Sequence, residues 1–372
     1  MNKPKIWLSS PHMGGSEQKY VQEAFDTNWV APLGPNVNEF EKDLQKYLDQ
    51  KKQVAALSAG TAALHLALKL AGVSQGDEVI CQSMTFSASA NPITYEGGIP
   101  VFVDSEQDTW NMSPDLLEQA IKERISKGKK PKAIIPVHLY GMPAKMKEIM
   151  EIARHYEIPV IEDAAESLGS HIHGQMTGTF GDYAILSFNG NKIITTSGGG
   201  ALITNTQEEK EKAIFWATQA RDNAPHYQHS EIGYNYRMSN IVAGIGRGQM
   251  EVLQERIAAR RANYDFYKKT LAGLPIEFIE EPQGYFSNRW LTTILTESYE
   301  QREKIRLALA AENIESRPLW KPMHMQPVFK DAKAYVDGTS EELFQRGLCL
   351  PSGSNLTDED KQRIGAVIKS CF

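Results

Sequence analysis

The sequence predicts an α/β fold, with a mostly parallel central sheet in a large domain and a smaller C-terminal α/β domain. Short apolar runs of strand length alternate with amphipathic helical segments over about the first 240 residues. Parallel strands need such crossover helices, and the helices then cover both faces of the sheet. The pattern changes near Ser239, and a length of 372 residues allows two or three domains.

The elements of the large domain can be assigned in order from their periodicity. The first helix, VNEFEKDLQKYL, has apolar residues at helical spacing, and Asn36 with Glu39 resembles a capping box at its start. The strands and helices that follow are Val54–Leu57, GTAALHLALKLAGV, Ile99–Val103, SPDLLEQAIKERI, Ala133–Leu139, AKMKEIMEIARHY, Ile158–Ile161 and Ala184–Phe188.

The chain after Ser239 predicts the smaller domain. A long helical stretch rich in Arg, Ala and Glu runs from Ser239 to about Leu271 and would connect the two domains. It is followed by the strand-like segment RWLTTILT and by the helical segments YEQREKIRLALAAEN and TDEDKQRIGAVIKSCF. We expect a large domain over residues 1–250 and a small domain over residues 251–372.

Composition and charge exclude several classes of protein. The formal net charge of −6 gives no broad basic field for nucleic acid or for an anionic membrane. Cys81, Cys349 and Cys371 are widely spaced and form no CxxC pair, so we expect neither a disulfide framework nor a metal site. No segment approaches the ~20 apolar residues of a membrane span, and the N-terminal residues lack the apolar core of a secretory signal. We therefore expect a cytoplasmic protein.

Acidic residues follow one of the predicted buried strands. In sheets of this type, ligands bind beyond the carboxyl ends of the strands. There the segment IPVIEDAAESLGS carries Glu162 and Asp163, with Glu166 shortly after. A carboxylate that leaves an apolar strand needs a positive or hydrogen-bonding partner, because uncompensated burial of charge is costly. An acid that only caps a turn or helix is the structural alternative.

A lysine and a helix start supply two further groups. Lys192 lies in a polar turn of GDYAILSFNGNKIITTSGGGALIT, among small hydroxyls, amides and glycines that would admit a ligand and bind an anion. Most lysines are solvated surface residues, but such neighbours are uncommon around those. Gly60, Thr61 and Ala62 open a helix whose free N–H groups and dipole would bind a phosphate, although Gly-Thr is also a routine turn. The Walker and GxGxxG spacings are absent, so neither ATP nor a dinucleotide is expected.

Taken together, these groups fit pyridoxal phosphate. The lysine would form a Schiff base, the acid would keep the pyridine nitrogen protonated, and backbone N–H groups would hold the phosphate. Phe86, which follows another predicted strand, would cover the ring, although it could equally be a core residue.

Four motifs resemble the sugar aminotransferase family of fold-type I pyridoxal-phosphate enzymes. In order, they are GTAALHLAL, EDAAESLG, GDYAILSFNGNK…TSGGGALIT and GYNYRMSN, and the similarity extends from PHMGG to LCLPSG. The resemblance implies the fold-type I transferase architecture. It also implies pyridoxal 5'-phosphate as cofactor, with pyridoxamine 5'-phosphate in the half-reaction.

The resemblance implies a role for each matching residue. Lys192 would be the Schiff-base lysine and Asp163 the partner of the pyridine nitrogen. The cofactor-binding residues would be Lys192, Asp163, Glu166, Phe86, Gly60, Thr61, Ala62, Ser187 and, from a second subunit, Asn235. The last of these implies a homodimer with shared active sites, while Arg237 and His324 would contact the substrate. The structural alternatives are a turn cap for Asn235, a pair with a structural acid for Arg237 and packing for His324.

The reaction follows from the resemblance alone. Lys192 stands where the dehydratases of this family carry histidine, so transamination is implied. A closer similarity, in PHMGG, NWVAPLGP, SFNGNKIITTSGGG, GYNYR, NRWL and RPLWKPMH, is to the transaminases of bacillosamine synthesis. It implies transfer of the amino group of L-glutamate to C4 of UDP-2-acetamido-4-keto-2,4,6-trideoxyglucose, leaving 2-oxoglutarate.

Two alternatives remain open at this point. The substrate could be another nucleotide keto-sugar, such as the precursor of GDP-perosamine or of a dTDP-linked 3- or 4-amino sugar. The chain could also be a non-catalytic, cofactor-binding regulator. A regulator would be expected to add a DNA-binding or sensor segment, and none is visible in the sequence.

Overall fold

The computed structural model describes residues 3–372. Its helices are α1 (Glu17–Asp26), α2 (Pro35–Leu48), α3 (Gly60–Leu70), α4 (Asn91–Tyr95), α5 (Pro114–Ser126), α6 (Met146–His155), α7 (Gln207–Ala217), α8 (Asn240–Glu251), α9 (Leu253–Thr270), α10 (Tyr299–Ala311), α11 (Thr339–Arg346) and α12 (Asp358–Lys369). Its strands are β1 (Gln53–Leu57), β2 (Glu78–Gln82), β3 (Ile99–Val103), β4 (Ala133–Ile135), β5 (Ile161–Asp163), β6 (His171–Ile172), β7 (Gln175–Met176), β8 (Tyr183–Ser187), β9 (Gly200–Thr204), β10 (Ile276–Phe278), β11 (Tyr285–Phe286), β12 (Thr292–Thr296), β13 (Arg317–Pro318), β14 (Ala334–Tyr335) and β15 (Gly347–Leu350).

The central sheet is mostly parallel, as predicted. One part has the strand order β1-β9-β8-β5, and the other has the order β4-β2-β3-β14. Isolated parallel bridges, Ile134 with Val160 and Val137 with Asp163, join β4 to the β5 side. Strand β9 runs antiparallel to β1 and to β8, whereas the pairings of β5 with β8 and of β2 with β3 and β4 are parallel. The predicted α/β class is confirmed.

Strand β1 is apolar after its first residue, Gln53, because helices cover both of its faces. Val54 and Ala56 belong to a core with the apolar face of α2, while Ala55 and Leu57 belong to a second core with α3. All four side chains are at most 1% exposed. A strand buried on both faces reads as a continuous apolar run rather than an alternating one, which is the pattern that the sequence shows.

A second sheet forms the core of the C-terminal part. Its order is β10-β12-β15-β13, and its pairings are antiparallel. Ile294 and Leu348 of this sheet pack with residues of α10 and α12. The N-terminal segment joins this core, because Ile6 forms a bridge with Ile314 and Leu8 accepts a backbone hydrogen bond from Ser352. The division near residue 250 stays a prediction.

Two local predictions were wrong. The stretch predicted as one helix from Ser239 is two, α8 and α9, separated at Val252, where φ is −111° and ψ is 6°. The capping box at the start of α2 does not form: the N-cap is Gly34, and Pro35 opens the helix because its fixed φ suits the first helical position. The Asn36 amide instead donates to the carbonyl of Tyr20.

Candidate active site

A cavity of about 230 Å³ lies at the carboxyl ends of the central strands. Its wall includes residues at or shortly after the ends of β1, β2, β4, β5 and β8, which is where ligands bind in sheets of this type. The candidate residues found in its wall are Gly60, Thr61, Phe86, Asp163, Glu166, Ser187 and Lys192. The fold therefore gathers into one cavity residues that are up to 132 positions apart, from Gly60 to Lys192.

Asp163 is the last residue of β5. The strand begins at Ile161 rather than at the predicted Ile158. Because it ends at Asp163, the carboxylate lies at the edge of the sheet, in the cavity wall. One carboxylate oxygen accepts the hydroxyl of Ser89 at 2.6 Å, and the other accepts the backbone N–H of Ala165 at 3.1 Å. The side chain is 6% exposed, so its orientation is fixed while one edge remains open to the cavity.

Lys192 and Glu166 face each other across the cavity wall. The Lys192 Nζ lies 3.5 Å from Glu166 Oε1 and 4.1 Å from the centre of the Trp290 ring. The other oxygen of Glu166 accepts the backbone N–H of Tyr140 at 2.6 Å. Burial raises the pKa of Glu166, and the nearby Lys192 charge and the Tyr140 N–H oppose that rise.

The start of α3 closes the opposite end of the cavity. Ala59 precedes the helix and offers no capping side chain, so the N–H groups of the first turn are available to a ligand. Ser187, the last residue of β8, lies beside them in the cavity wall. The packing here is close: a Cβ on Gly200 would come within 2.3 Å of the Gly60 nitrogen. This end has the donors and the shape that suit a phosphate.

The other predicted site residues lie outside this wall. Ala62 lies in the first turn of α3, is 5% exposed and does not line the cavity. Asn235 is exposed and forms a bridge with Thr218. Arg237 donates to Glu41 and to the Ala56 carbonyl, which is the structural alternative that the sequence allowed. The substrate role of Arg237 stays a prediction.

His324 is engaged through both of its ring nitrogens. Its Nδ1 lies 2.6 Å from the hydroxyl of Ser83, and its Nε2 lies 3.2 Å from a carboxylate oxygen of Glu341. Met323 also donates its backbone N–H to the Ser83 carbonyl. These bonds fix the turn that follows Trp320. The contact of His324 with substrate stays a prediction.

Sequence reasoning missed two tryptophans of the wall. Trp290 and Trp320 both line the cavity, and the rings of both stack against Tyr140, with centroid distances of 6.4 Å and 6.0 Å. Trp320 also packs at 5.4 Å against Phe86, whose side chain is 53% exposed. The available signal was a large aromatic residue in each of two polar segments, NRWL and RPLWKPMH.

Comparison with known proteins decides the family. Residues 11–369 match the model of the DegT/DnrJ/EryC1/StrS aminotransferase family. The chain belongs to this family. Among its relatives are EpsN of Bacillus subtilis (strain 168), 54% identical over 99% of this chain and 96% of that protein, and the GDP-perosamine synthase of Escherichia coli O157:H7, 40% identical over 95% of each. Spr1654, a Streptococcus pneumoniae protein solved in its PMP form, superposes with a TM-score of 0.90 at 28% identity, over 100% of this chain and 98% of that one.

The enzyme is therefore a pyridoxal-phosphate-dependent sugar aminotransferase of fold-type I. The cavity fits this cofactor in its donor set: a buried carboxylate at Asp163, an uncapped helix start at Gly60 and an amine at Lys192. In residues 3–372, no helix has the length and the apolar character needed to cross a membrane.

Proposed function

We propose that this enzyme transfers the amino group of L-glutamate to C4 of a UDP-linked 4-keto-6-deoxy-N-acetylhexosamine, UDP-2-acetamido-4-keto-2,4,6-trideoxyglucose. The observation that carries the transfer chemistry is the amine of Lys192, held at the wall of a cavity that also presents Asp163 and the start of α3. The sugar is inferred from the motif similarity to the transaminases of bacillosamine synthesis, whose products serve surface glycans.

Each cavity residue has a role in this proposal. Lys192 would bond to the cofactor, Asp163 would face its pyridine nitrogen, Phe86 would cover its ring, and the first turn of α3 with Ser187 would hold its phosphate. When bound, the cofactor supplies an electron sink for the bond that breaks at the amino acid carbon. The Lys192 amine takes the proton from Cα of glutamate, and it later delivers a proton to C4 of the sugar. Glu166, whose Oε1 lies 3.5 Å from Nζ, adds electrostatic attraction for the ammonium form between these two transfers.

The charge of the substrates supports shared active sites. Glutamate and a nucleotide diphosphate sugar are both anionic, whereas the cavity wall of one protomer presents two acids, Asp163 and Glu166, and a single cation, Lys192, among the residues described. Further cations and donors must then come from outside this wall. We infer that a second copy supplies part of them, with exposed Asn235 reaching the cofactor phosphate of its partner.

A second substrate is favoured by one comparison. The GDP-perosamine synthase that is 40% identical to this chain favours a GDP-linked keto-sugar. The exposed ring of Phe86 and the partly buried ring of Trp320 suit either substrate, because such rings pack against the C–H faces of a hexose and carry no information on the nucleotide.

The test is a substrate panel. Purified enzyme loaded with pyridoxal phosphate is incubated with glutamate and with UDP-, GDP- or dTDP-linked keto-sugars, and the products are identified by mass spectrometry and NMR. We expect amination at C4 of the UDP-N-acetyl sugar. Amination of the GDP-sugar instead would support the second substrate, and no amination of any sugar would overturn the function.

The matched control is Lys192→Ala. It removes the amine and leaves Asp163 and the start of α3 in place, so cofactor binding should persist in part while turnover falls by at least ~10⁴-fold. Turnover near the wild-type rate in this variant would contradict the role of the lysine.

A further inference from the structure

We propose that Trp290 is a positioning residue that holds the side-chain amine of Lys192 beside the cavity whenever that amine is not bonded to the cofactor. The inference rests on the proposed function, because aminotransfer requires the amine to leave the cofactor and to return to the same atom. Between the two events a flexible lysine side chain needs a defined resting place, since reacting atoms must be presented in a near-attack geometry.

The indole contacts Lys192 at both ends of the residue. The ring face lies 4.1 Å from Nζ, which is a cation–π contact, and the indole N–H donates to the carbonyl of Asn191 at 2.7 Å. The same side chain therefore fixes the backbone that enters Lys192 and the amine at its end. Trp290 is 1% exposed, so the packing around it leaves the ring a single orientation.

The backbone of Trp290 is tied to the same groups as the lysine. Arg260 donates to the Trp290 carbonyl at 2.6 Å and to the Lys192 carbonyl at 3.4 Å. Asn288 accepts the Trp290 N–H at 2.8 Å and donates to the carbonyl of Glu166 at 3.0 Å. Arg260 and Asn288 do not line the cavity, but their hydrogen bonds fix the backbones of Lys192, Glu166 and Trp290 relative to one another.

An aromatic ring face is better suited to holding the free Lys192 amine than a second carboxylate beside Glu166 would be. The face attracts the charge of an ammonium, and the attraction strengthens when water is excluded, but the ring takes no proton. Glu166 Oε1, at 3.5 Å, is beyond ordinary hydrogen-bond distance for a charged pair, so the amine lies between two attractive groups rather than bonded tightly to the carboxylate. Tyr140 stacks behind the indole at an angle of 21° and keeps the ring from tilting away.

Trp320 provides a matched comparison within the same wall. It lines the same cavity and stacks on Tyr140 with a similar geometry, 6.0 Å and 23°. Of these two tryptophans, Trp290 is the one whose ring makes a cation–π contact with Lys192 in the part of the chain that the structure describes. Loss of either ring removes a similar aromatic surface, but only loss of Trp290 should release the amine.

The first experiment measures the free amine directly, in cofactor-free protein. Wild type, W290L, W290F and W320L are treated with limiting formaldehyde and cyanoborohydride, and dimethylation of Lys192 is quantified by peptide mass spectrometry relative to exposed Lys127. Relative labelling of Lys192 should rise about threefold in W290L, and about twofold in W290F, which keeps a weaker ring face. W320L should label like wild type. Unchanged labelling in both Trp290 variants, or an equal rise in W320L, would overturn the proposal.

The second experiment separates positioning from binding in the loaded enzyme. We expect kcat of W290L to fall at least ~10-fold while KM for glutamate changes less than about threefold, and W290F to recover most of kcat. Thermal melts identify any variant that does not fold. If W290L is one of them, the Lys192 labelling of W290F decides, and the absence of a rise in that labelling would overturn the proposal. A folded W290L variant with the wild-type kcat would contradict the proposal that Trp290 positions the Lys192 amine. If the wild-type enzyme aminates no sugar, the proposed function is wrong. The labelling experiment still tests the role of Trp290 in that case, because it does not depend on turnover.

Discussion

Glu166 is a residue of the cavity wall whose pKa is shifted by its surroundings. It is buried beside Asp163 and Lys192, and burial raises the pKa of its carboxyl group. A carboxyl group whose pKa is higher in the folded than in the unfolded state binds its proton more tightly when folded. Its contribution to stability is therefore most favourable at low pH, and it declines as the pH rises from the unfolded value through the folded one.

Glu166→Gln should remove this pH dependence and keep the shape of the side chain. In cofactor-free protein, the free energy of unfolding of the variant minus that of wild type should increase as the pH rises from 4 to 8. Urea unfolding at several pH values measures it. Glu118→Gln is the control of opposite sign, because Lys122 and Tyr156 lower the pKa of half-buried Glu118. A Glu166→Gln difference that stays constant or shrinks over this range would contradict the assignment.

The element that positions the phosphate end is the pair of α3 and β9. Gly200 begins β9 and lies against the first turn of α3, where a Cβ would come within 2.4 Å of the Ala59 carbonyl carbon. Atoms cannot approach this closely, so any side chain at Gly200 must push the helix start away from the strand. The glycine therefore serves the approach of two backbones rather than a special φ angle.

Gly200→Ala should lower the stability of the protein by about 1–3 kcal/mol, because it overpacks this junction. It should also weaken the binding of pyridoxal phosphate about 10-fold or more, since the displaced N–H groups no longer converge on the phosphate. Urea unfolding and an absorbance titration measure the two effects. Gly198→Ala is the stability control, because a Cβ there meets open space. Equal stability of the two variants would show that the close approach is not limiting.

At the scale of the whole molecule, the protomer exposes a stretch of large apolar side chains to solvent. Phe25, Trp29, Val30 and Leu33 lie within one short stretch and are 40–56% exposed. A run of large apolar side chains in solvent is typical of an association surface. Asn235, predicted to serve a second subunit, is exposed as well, so both surfaces are accessible to a second copy of the chain.

Shared sites can be tested by mixing two inactive variants. Lys192→Ala and Asn235→Ala each damage a different half of every active site, if Asn235 crosses to the partner. After the subunits are exchanged by reversible unfolding, half of the dimers should be mixed and hold one intact site each, which restores about a quarter of wild-type activity. Activity that stays at the mean of the two variants would show that Asn235 serves its own chain.

Much of the candidate site could be predicted from the residue types that follow the apolar strands in the sequence. The Lys192 turn, Asp163 and the start of α3 were found because each follows an apolar strand, and the ends of parallel strands meet at one edge of the sheet. The helices of the large domain were predicted because their apolar spacing reflects which face is buried. The start of β5 was predicted three residues early, because Ile158 is apolar and buried without belonging to the ladder.

Contacts between distant segments could not be predicted in this way. Trp290 is 98 residues from Lys192, and nothing in NRWL shows that its ring turns toward that amine. Arg260 lies in a helix that is rich in arginine, and its neighbours in the sequence do not reveal that this guanidinium is buried and donates to the carbonyls of Trp290 and Ser352. Arg237 pairs with Glu41, 196 positions away, which a single sequence cannot indicate.

The N-terminal segment and Arg260 limit how freely parts of this enzyme can be exchanged. Ile6 lies at the edge of the C-terminal core, Ser9 donates to the carbonyl of Asn191, and Arg260 bonds to Ser9 and to Ser352. A chimera joined only near residue 250 would therefore separate the C-terminal core from the N-terminal segment that completes it. Grafts between relatives should carry the first nine residues together with the C-terminal part, so the modular unit is defined by packing and includes both ends of the chain.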